Sequence, residues 1–236
     1  LPWAADESPM EENAIPALKK NIDKLDERIA IFCDSTRDAI KGHVFYGEVP
    51  GFVNGGEGFE EDIKSSVRAW CNSVEEWNPK SPKQIISYVS AHDNFTLYDK
   101  LMECLKTEKD YRKTDKELIR INKLVAAIVF TCQGTVFFQA GEEFARTKLG
   151  EDNSYNLSPE LNKLDWTRAY EYSDLVEYYK GLIKIRNNFS AFYNGKLDNV
   201  DRIKFLPVTH KGGVIYTLQS DDGTDDLWNE VYVAYN

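Results

Sequence analysis

Cysteine, positive charge and long apolar runs are all scarce in this chain, and each shortage closes off a class of function. Only four cysteines occur in 236 residues, at Cys33, Cys71, Cys104 and Cys132, and no two form a Cys-x-x-Cys pair. Such uneven spacing argues against a zinc site or a redox couple. The four are expected to be reduced thiols, most of them buried. Lys and Arg number 29 against 39 Asp and Glu, a formal net charge of -10. A surface of that sign repels phosphate backbones, which sets nucleic acid aside as a partner. No apolar stretch reaches the roughly 18 residues of a membrane-spanning helix. No repeat and no low-complexity tract is present. Both ends read as cut. Leu1-Pro2-Trp3 is neither an initiator methionine nor a signal peptide. The last residues, Val231 to Asn236, alternate like a strand and stop without a polar tail. The expectation is an internal piece of a longer protein.

What is present is a strand–helix pattern. Ile15 to Arg28 reads as a helix with Leu18, Ile22 and Leu25 on one face and Pro16 in its first turn. Ile29 to Cys33 is a short apolar strand. Gly47 to Gly58 is a Gly-rich loop, and Phe59 to Trp77 has helical spacing, broken by Asn78-Pro79-Lys80-Ser81-Pro82. A strand over Gln84 to Ser90 leads to a helix near Thr96 to Leu105 and a longer one near Asp115 to Phe130. Leu118, Ile121, Leu124, Val125, Ile128 and Val129 form its wide apolar stripe. Thr135 to Gln139 is the next strand, a long loop runs from Arg146 to Trp166, and Asp174 to Phe189 is amphipathic. Then only strands follow, at Ile203 to Val208, Val214 to Gln219 and Val231 to Tyr235. Turn residues such as Lys211-Gly212-Gly213 and Asp221-Asp222-Gly223 separate them. An α/β part followed by an all-β part is the natural parse. Three strand–helix units cannot close an eight-stranded barrel, and left alone they expose strand edges.

The densest chemistry lies at one strand end, Tyr88-Val89-Ser90-Ala91-His92-Asp93-Asn94. In α/β barrels the C-terminal ends of strands carry the catalytic groups. The segment Ser87 to Leu97 resembles the fourth conserved region of the α-amylase superfamily, at the end of its seventh barrel strand. Phe137-Phe138-Gln139-Ala140-Gly141-Glu142-Glu143-Phe144-Ala145-Arg146-Thr147-Lys148 resembles the eighth strand and its loop. Asp152-Asn153-Ser154-Tyr155-Asn156 and Leu164-Asp165-Trp166 continue the pattern of type I pullulanases. Asp34 to Gly42 and Gly51 to Gly55 resemble the stretch between their fifth and seventh strands.

The resemblance, to the C-terminal part of a type I pullulanase, covers nearly the whole chain. It implies an α/β fold: a partial (β/α)8 TIM barrel, roughly strands six to eight, over residues 1–192. The start of an all-β C-terminal sandwich follows at 193–236. It implies retaining hydrolysis of α-1,6-glucosidic bonds in pullulan, starch or glycogen, with one carboxyl as nucleophile and another as acid and base. A third carboxylate, here Asp93, supports the charged transition state. His92 is implied to hydrogen-bond sugar hydroxyls, Asn94 to hold the turn, and Asn153 and Tyr155 to line a substrate subsite. The nucleophile's Arg-x-Asp context, the acid's Gly-Glu-Gly-Trp-like block and the Tyr-Asn-Trp-type motif have no match here. The chain alone is therefore expected to be inactive. The partners implied are an α-glucan and, through open strand edges, a second copy or the rest of a barrel. These enzymes occur inside and outside bacterial cells, so the compartment stays open.

Other clusters read as structural. Glu142 and Glu143 fit a hydrogen-bond network at a barrel rim, and Asp34, Arg37 and Asp38 an ion-pair network. Gly55-Gly56-Glu57-Gly58 lacks the Lys-Ser/Thr of a phosphate cradle. No cofactor is expected. Calcium at Glu151-Asp152-Asn153 stays an open alternative, although the spacing is not that of a known loop. Tyr172, Tyr178 and Tyr179 read as packing. Two alternatives remain: an isoamylase or glycogen-debranching relative, and a non-catalytic glucan-binding or assembly module. The Asn after His-Asp and the Asn-Ser-Tyr-Asn block favour the pullulanase pattern over the first.

Overall fold

The structure, a computed structural model, describes residues 15–73, 77–221 and 223–236. Leu1-Pro2-Trp3 and Asp222 of the last turn lie outside the described residues. A three-stranded parallel sheet and a three-stranded antiparallel sheet are joined by helices. The parallel sheet has the order β1-β2-β3, with β1 at Ile31–Phe32, β2 at Ile85–Ser87 and β3 at Thr135–Val136. Helices α1 (Asp34–Lys41) and α2 (Glu60–Val67) lie between the first two strands. Helices α3 (Leu97–Leu105) and α4 (Lys116–Thr131) lie between the second and third. After β3 come α5 (Pro159–Asn162), α6 (Trp166–Glu171) and α7 (Ser173–Asn187). The antiparallel sheet is β4 (Ile203–Leu206), β5 (Val214–Gln219) and β6 (Glu230–Tyr235), with Phe205 opposite Tyr216 and Tyr216 opposite Val233.

Caps fix the helix starts that matter most. The Thr96 side chain accepts from the Asp99 N–H at 3.1 Å and starts α3. Asp115 accepts from the Glu117 and Leu118 N–H groups and starts α4. The main core joins Leu101, Val125, Ile128, Leu175 and Tyr179 of the helices to Val214, Tyr216 and Leu218 of β5. Tyr216 OH donates to the Thr131 carbonyl at 3.1 Å, so β5 and the end of α4 share buried polar as well as apolar contacts. Among the described residues no helix is long and apolar enough to cross a membrane. The four thiols are free, three buried and Cys104 partly exposed.

Several sequence expectations need correction. The helix expected over 15–28 is only a 3-10 segment, Lys19–Lys24. Asn21 Nδ2 donates to the Pro16 carbonyl and the Leu25 N–H is shared by two carbonyls, which closes the segment early. Ile22 and Leu25 are buried all the same, in a small core with Trp70 and Trp77. The helix expected over 59–77 stops at Val67, because Ala69, Trp70 and Asn72 have positive φ. Tertiary bonding holds that turn: Trp70 Nε1 donates to Thr36 Oγ1 at 2.9 Å. Its Val74 to Glu76 stretch lies outside the described residues. The three parallel strands are shorter than expected. Cys33 already serves as the N-cap position of α1, and Tyr88 and Phe137 leave the ladder one residue past its last pair. The expected loop over 146–166 contains α5 and leads directly into α6.

Candidate functional site

The site is built where β2 runs out. Tyr88, Val89 and Ser90 remain buried, then His92 and Asp93 emerge with side chains 90% and 75% exposed. His92 Nε2 lies 3.4 Å from Asp93 Oδ2. Asn94 turns the chain into α3 with φ +59°, a left-handed conformation that Asn adopts more readily than most residues. Its carbonyl accepts from the buried Lys148 Nζ at 2.7 Å.

These residues line a cleft of about 410 Å³ with Phe45, Asp152, Asn153, Ser154 and Tyr155. The structure therefore brings together all five residues singled out in the sequence: His92, Asp93, Asn94, Asn153 and Tyr155. It adds Phe45, 72% exposed, which sequence reasoning missed. Phe45 lies in an irregular loop with no periodicity to mark it. Ser154 was also missed. It fixes the far wall, donating to Asn162 Oδ1 at 2.8 Å while its carbonyl accepts from Asn162 Nδ2 at 2.7 Å. An imidazole, carboxylates and amides between two exposed aromatic rings suit a polyhydroxylated ligand. The polar groups reach hydroxyls, and the rings cover the apolar C–H faces.

A larger concavity, about 660 Å³, lies beside Arg146 and Arg168. Both of these arginines already serve the backbone. Arg168 donates twice to the Ala145 carbonyl, and Arg146 donates to the Ala140 and Asn162 carbonyls. Size alone therefore does not choose the site. Among the described residues no group of three or more His, Cys, Asp or Glu converges to hold a metal ion.

Glu142, Glu143, Asp34 and Asp38 have structural partners. Glu143 Oε2 accepts from the Gly141 N–H at 2.9 Å. Arg37 bridges Asp34, Asp38 and the Tyr88 hydroxyl, and Tyr172 and Tyr179 are buried packing residues. Glu142 is buried, accepting from Ser90 Oγ at 2.6 Å and Tyr179 OH at 3.0 Å. Burial pushes its carboxyl up to about 7, and burial pulls the Lys41 ammonium down to about 7.

A carboxyl that holds its proton more tightly when folded loses stability as pH rises from its unfolded value of 4.5 to about 7. An ammonium with a lowered value regains stability from about 7 upward toward 10.5. These two groups together put a stability minimum near neutrality. The urea midpoint of the chain is expected to fall between pH 5 and 7. Glu142→Gln is expected to flatten that fall, a difference of up to about 3 kcal/mol. Parallel pH profiles for the two proteins would refute this assignment.

No protein-family model matches the chain. Individual relatives do. It is 33% identical over 214 residues to the pullulanase of Bacillus subtilis (strain 168), covering 88% of this chain and 28% of that protein. It is 28% identical over 230 residues to pullulanase A of Streptococcus pneumoniae, covering 80% of this chain and 18% of that protein. A more distant match, 24% identical over 137 residues, is the glycogen operon protein GlgX homolog of Mycobacterium tuberculosis, covering 48% and 19%. Among solved structures, the apo pullulanase of Paenibacillus barengoltzii superposes with a TM-score of 0.85 at 36% identity, over 94% of this chain and 33% of that one. The same enzyme in complex with maltohexaose and alpha-cyclodextrin gives 0.84 at 36% identity, over 94% and 34%. Type I pullulanase of Bacillus subtilis complexed with maltose gives 0.84 at 30% identity, over 97% and 31%. The chain thus spans about a third or less of each of these relatives. Over most of its own length the chain matches pullulanases, which are glycoside hydrolases, in both sequence and fold.

Proposed function

We propose that the His92–Asp93 cleft is a glucan subsite of a retaining hydrolase for α-1,6-glucosidic bonds, in pullulan, starch or glycogen. Asp93 is the carboxylate that supports the oxocarbenium-like transition state. His92 bonds a sugar hydroxyl, Asn94 holds the turn, and Asn153 and Tyr155 form the opposite wall. The observation that carries this reading is the convergence of two sequence-distant segments, 92–94 and 152–155, on one cleft beside the exposed ring of Phe45. Solved relatives complexed with maltooligosaccharides add support from chemistry of the same class.

On this reading β1, β2 and β3 stand for strands six to eight of a (β/α)8 barrel within 1–192. Strands β4 to β6 begin a C-terminal sandwich over 193–236. Within the described residues β1 and β3 each pair on one side only, and Phe32 is 48% exposed beside Tyr88 and Phe137. Open edges of this kind favour self-association or union with further barrel strands.

Calorimetry of the chain against maltotriose tests the subsite. Weak heat at millimolar sugar is expected, lost in Asp93→Asn and in Phe45→Ala. The absence of heat in the unsubstituted chain, or heat that both variants retain, would count against it.

A further inference from the structure

Two neighbouring charges on α3 are buried without meeting each other's demand locally. Asp99 is 0% exposed and Lys100 is 1% exposed. Lys100 Nζ points at the loop that carries Phe45. It donates to the carbonyls of His43 at 3.2 Å, Tyr46 at 2.6 Å, Gly47 at 2.9 Å and Val49 at 2.8 Å. One turn further along α3, Cys104 Sγ donates to the Glu48 carbonyl at 3.4 Å. Three ammonium protons serve four carbonyls, so at least one proton is shared. This is the arrangement of a monovalent cation in a carbonyl cage, with the cation tethered to a helix.

The loop has little else to hold it. Within 43–49 the backbone makes two internal hydrogen bonds, from the Val49 N–H to the Tyr46 carbonyl and from the Phe45 N–H to His43 Nδ1, both at 3.2 Å. At the loop's base, Gly42 has φ +87°, and a Cβ there would lie 2.0 Å from the Val49 carbonyl oxygen. The chain must therefore close tightly on itself, and the carbonyls turned inward must find a donor. Burial lowers the proton affinity of the Lys100 ammonium, and the four carbonyls replace the water it gives up.

Asp99 does the corresponding work on the other side. Its Oδ2 accepts from the Lys148 N–H at 2.7 Å, and its Oδ1 accepts from Thr147 Oγ1. The Lys148 ammonium then reaches back to the Asn94 carbonyl at 2.7 Å. One helix turn thus binds the loops behind three walls of the cleft: 43–49, 92–94 and the segment leading to 152–155.

We infer that Asp99 and Lys100 are positioning residues for the cleft, with Lys100 acting as a tethered cation that sets the Phe45 loop. Asp99, through Lys148, sets the His92–Asp93–Asn94 turn and the wall beyond it. The value of this arrangement for sugar recognition rests on the glucan reading given above, but the cage itself does not.

Amide hydrogen exchange on the whole chain, without sugar, tests the device. Lys100→Met, which keeps the stem and removes the cation, is expected to speed exchange in 45–49 by roughly tenfold or more while leaving 147–150 near its original rate. Asp99→Asn is expected to do the converse. Lys100→Ala empties the cage and the stem channel. Added n-propylammonium is expected to restore protection in 45–49, whereas tetramethylammonium, which lacks N–H donors, is not. Unchanged exchange in Lys100→Met, equal loosening of both loops in each variant, or equal rescue by the two amines would each overturn the assignment. Maltotriose calorimetry on the same proteins separates the two ideas. If the unsubstituted chain gives no heat, the glucan reading fails, and the exchange pattern still decides whether the cage positions the loop.

Discussion

Incubated with pullulan, the purified chain is expected to release no reducing ends above the enzyme-free blank, and Asp93→Asn is expected to leave that result unchanged. Retaining hydrolysis needs a nucleophile and an acid–base pair of carboxyls about 5 to 5.5 Å apart, with the transition-state carboxylate as a third. The carboxylates lining the cleft are Asp93 and Asp152. Glu142 is buried behind Ser90 and Tyr179, and Glu143 is engaged with the Gly141 N–H. No Arg-x-Asp sequence offers a nucleophile in its family context. Groups that act as a unit are not replaceable one at a time, and loss of a nucleophile or base costs several orders of magnitude. A turnover that survives purification and disappears in Asp93→Asn would overturn this expectation. It would make a catalytic pair within these residues necessary, with Asp152 the first to test.

Some of this was legible in the sequence, for physical reasons that differ between elements. Helices α3, α4 and α7 fall within about two residues of their expected bounds, because their apolar stripes are long and Thr96 and Asp115 mark their starts. Strands β4 to β6 were legible because alternation and Gly-rich turns coincide. The parallel strands were found but overextended. Only two or three residues of each pair, and where the chain leaves a ladder is decided by its neighbours, not by its own apolar run. The left-handed turn at Ala69 and Trp70 carries no local signal, since neither residue prefers that conformation.

The site divides in the same way. His92, Asp93 and Asn94 stand at a strand end, where position and residue type agree. Asn153 and Tyr155 depended on the resemblance, and the cleft now gives them a geometric place beside that turn. Lys100 and the carbonyl of Tyr46, the residue after Phe45, are 54 positions apart and meet only through the fold. A lysine between the apolar Leu97, Tyr98 and Leu101 of one helix was the one available hint, because a charge on a buried face needs a partner from elsewhere.

Arg186 should be the most expensive single side chain to remove from the described fold. Its guanidinium is buried on α7 and donates to the Phe130 and Cys132 carbonyls at 2.8 Å and to the Gly134 carbonyl at 2.6 Å. Those carbonyls belong to the end of α4 and the turn into β3, where a helix leaves its last acceptors unpaired. Burial lowers the guanidinium only to about 10, so it stays charged at neutral pH. The turn has no slack to find other donors. Gly134 has φ +87°, and a Cβ there would lie 2.6 Å from the Pro82 carbonyl oxygen. Arg186→Met keeps much of the apolar stem and leaves the three carbonyls without this donor, at an expected cost of about 3 to 5 kcal/mol. Arg186→Lys supplies one point charge where a planar fork reached three oxygens, and is expected to recover less than half of that loss. Urea unfolding at constant m-value reads both. A midpoint for Arg186→Met within about 0.5 kcal/mol of the parent would show that the α4–β3 turn is held by its packing alone. If the expected loss is found, the strand from which the 141–155 wall of the cleft departs is anchored by a charge on a helix that never touches the cleft.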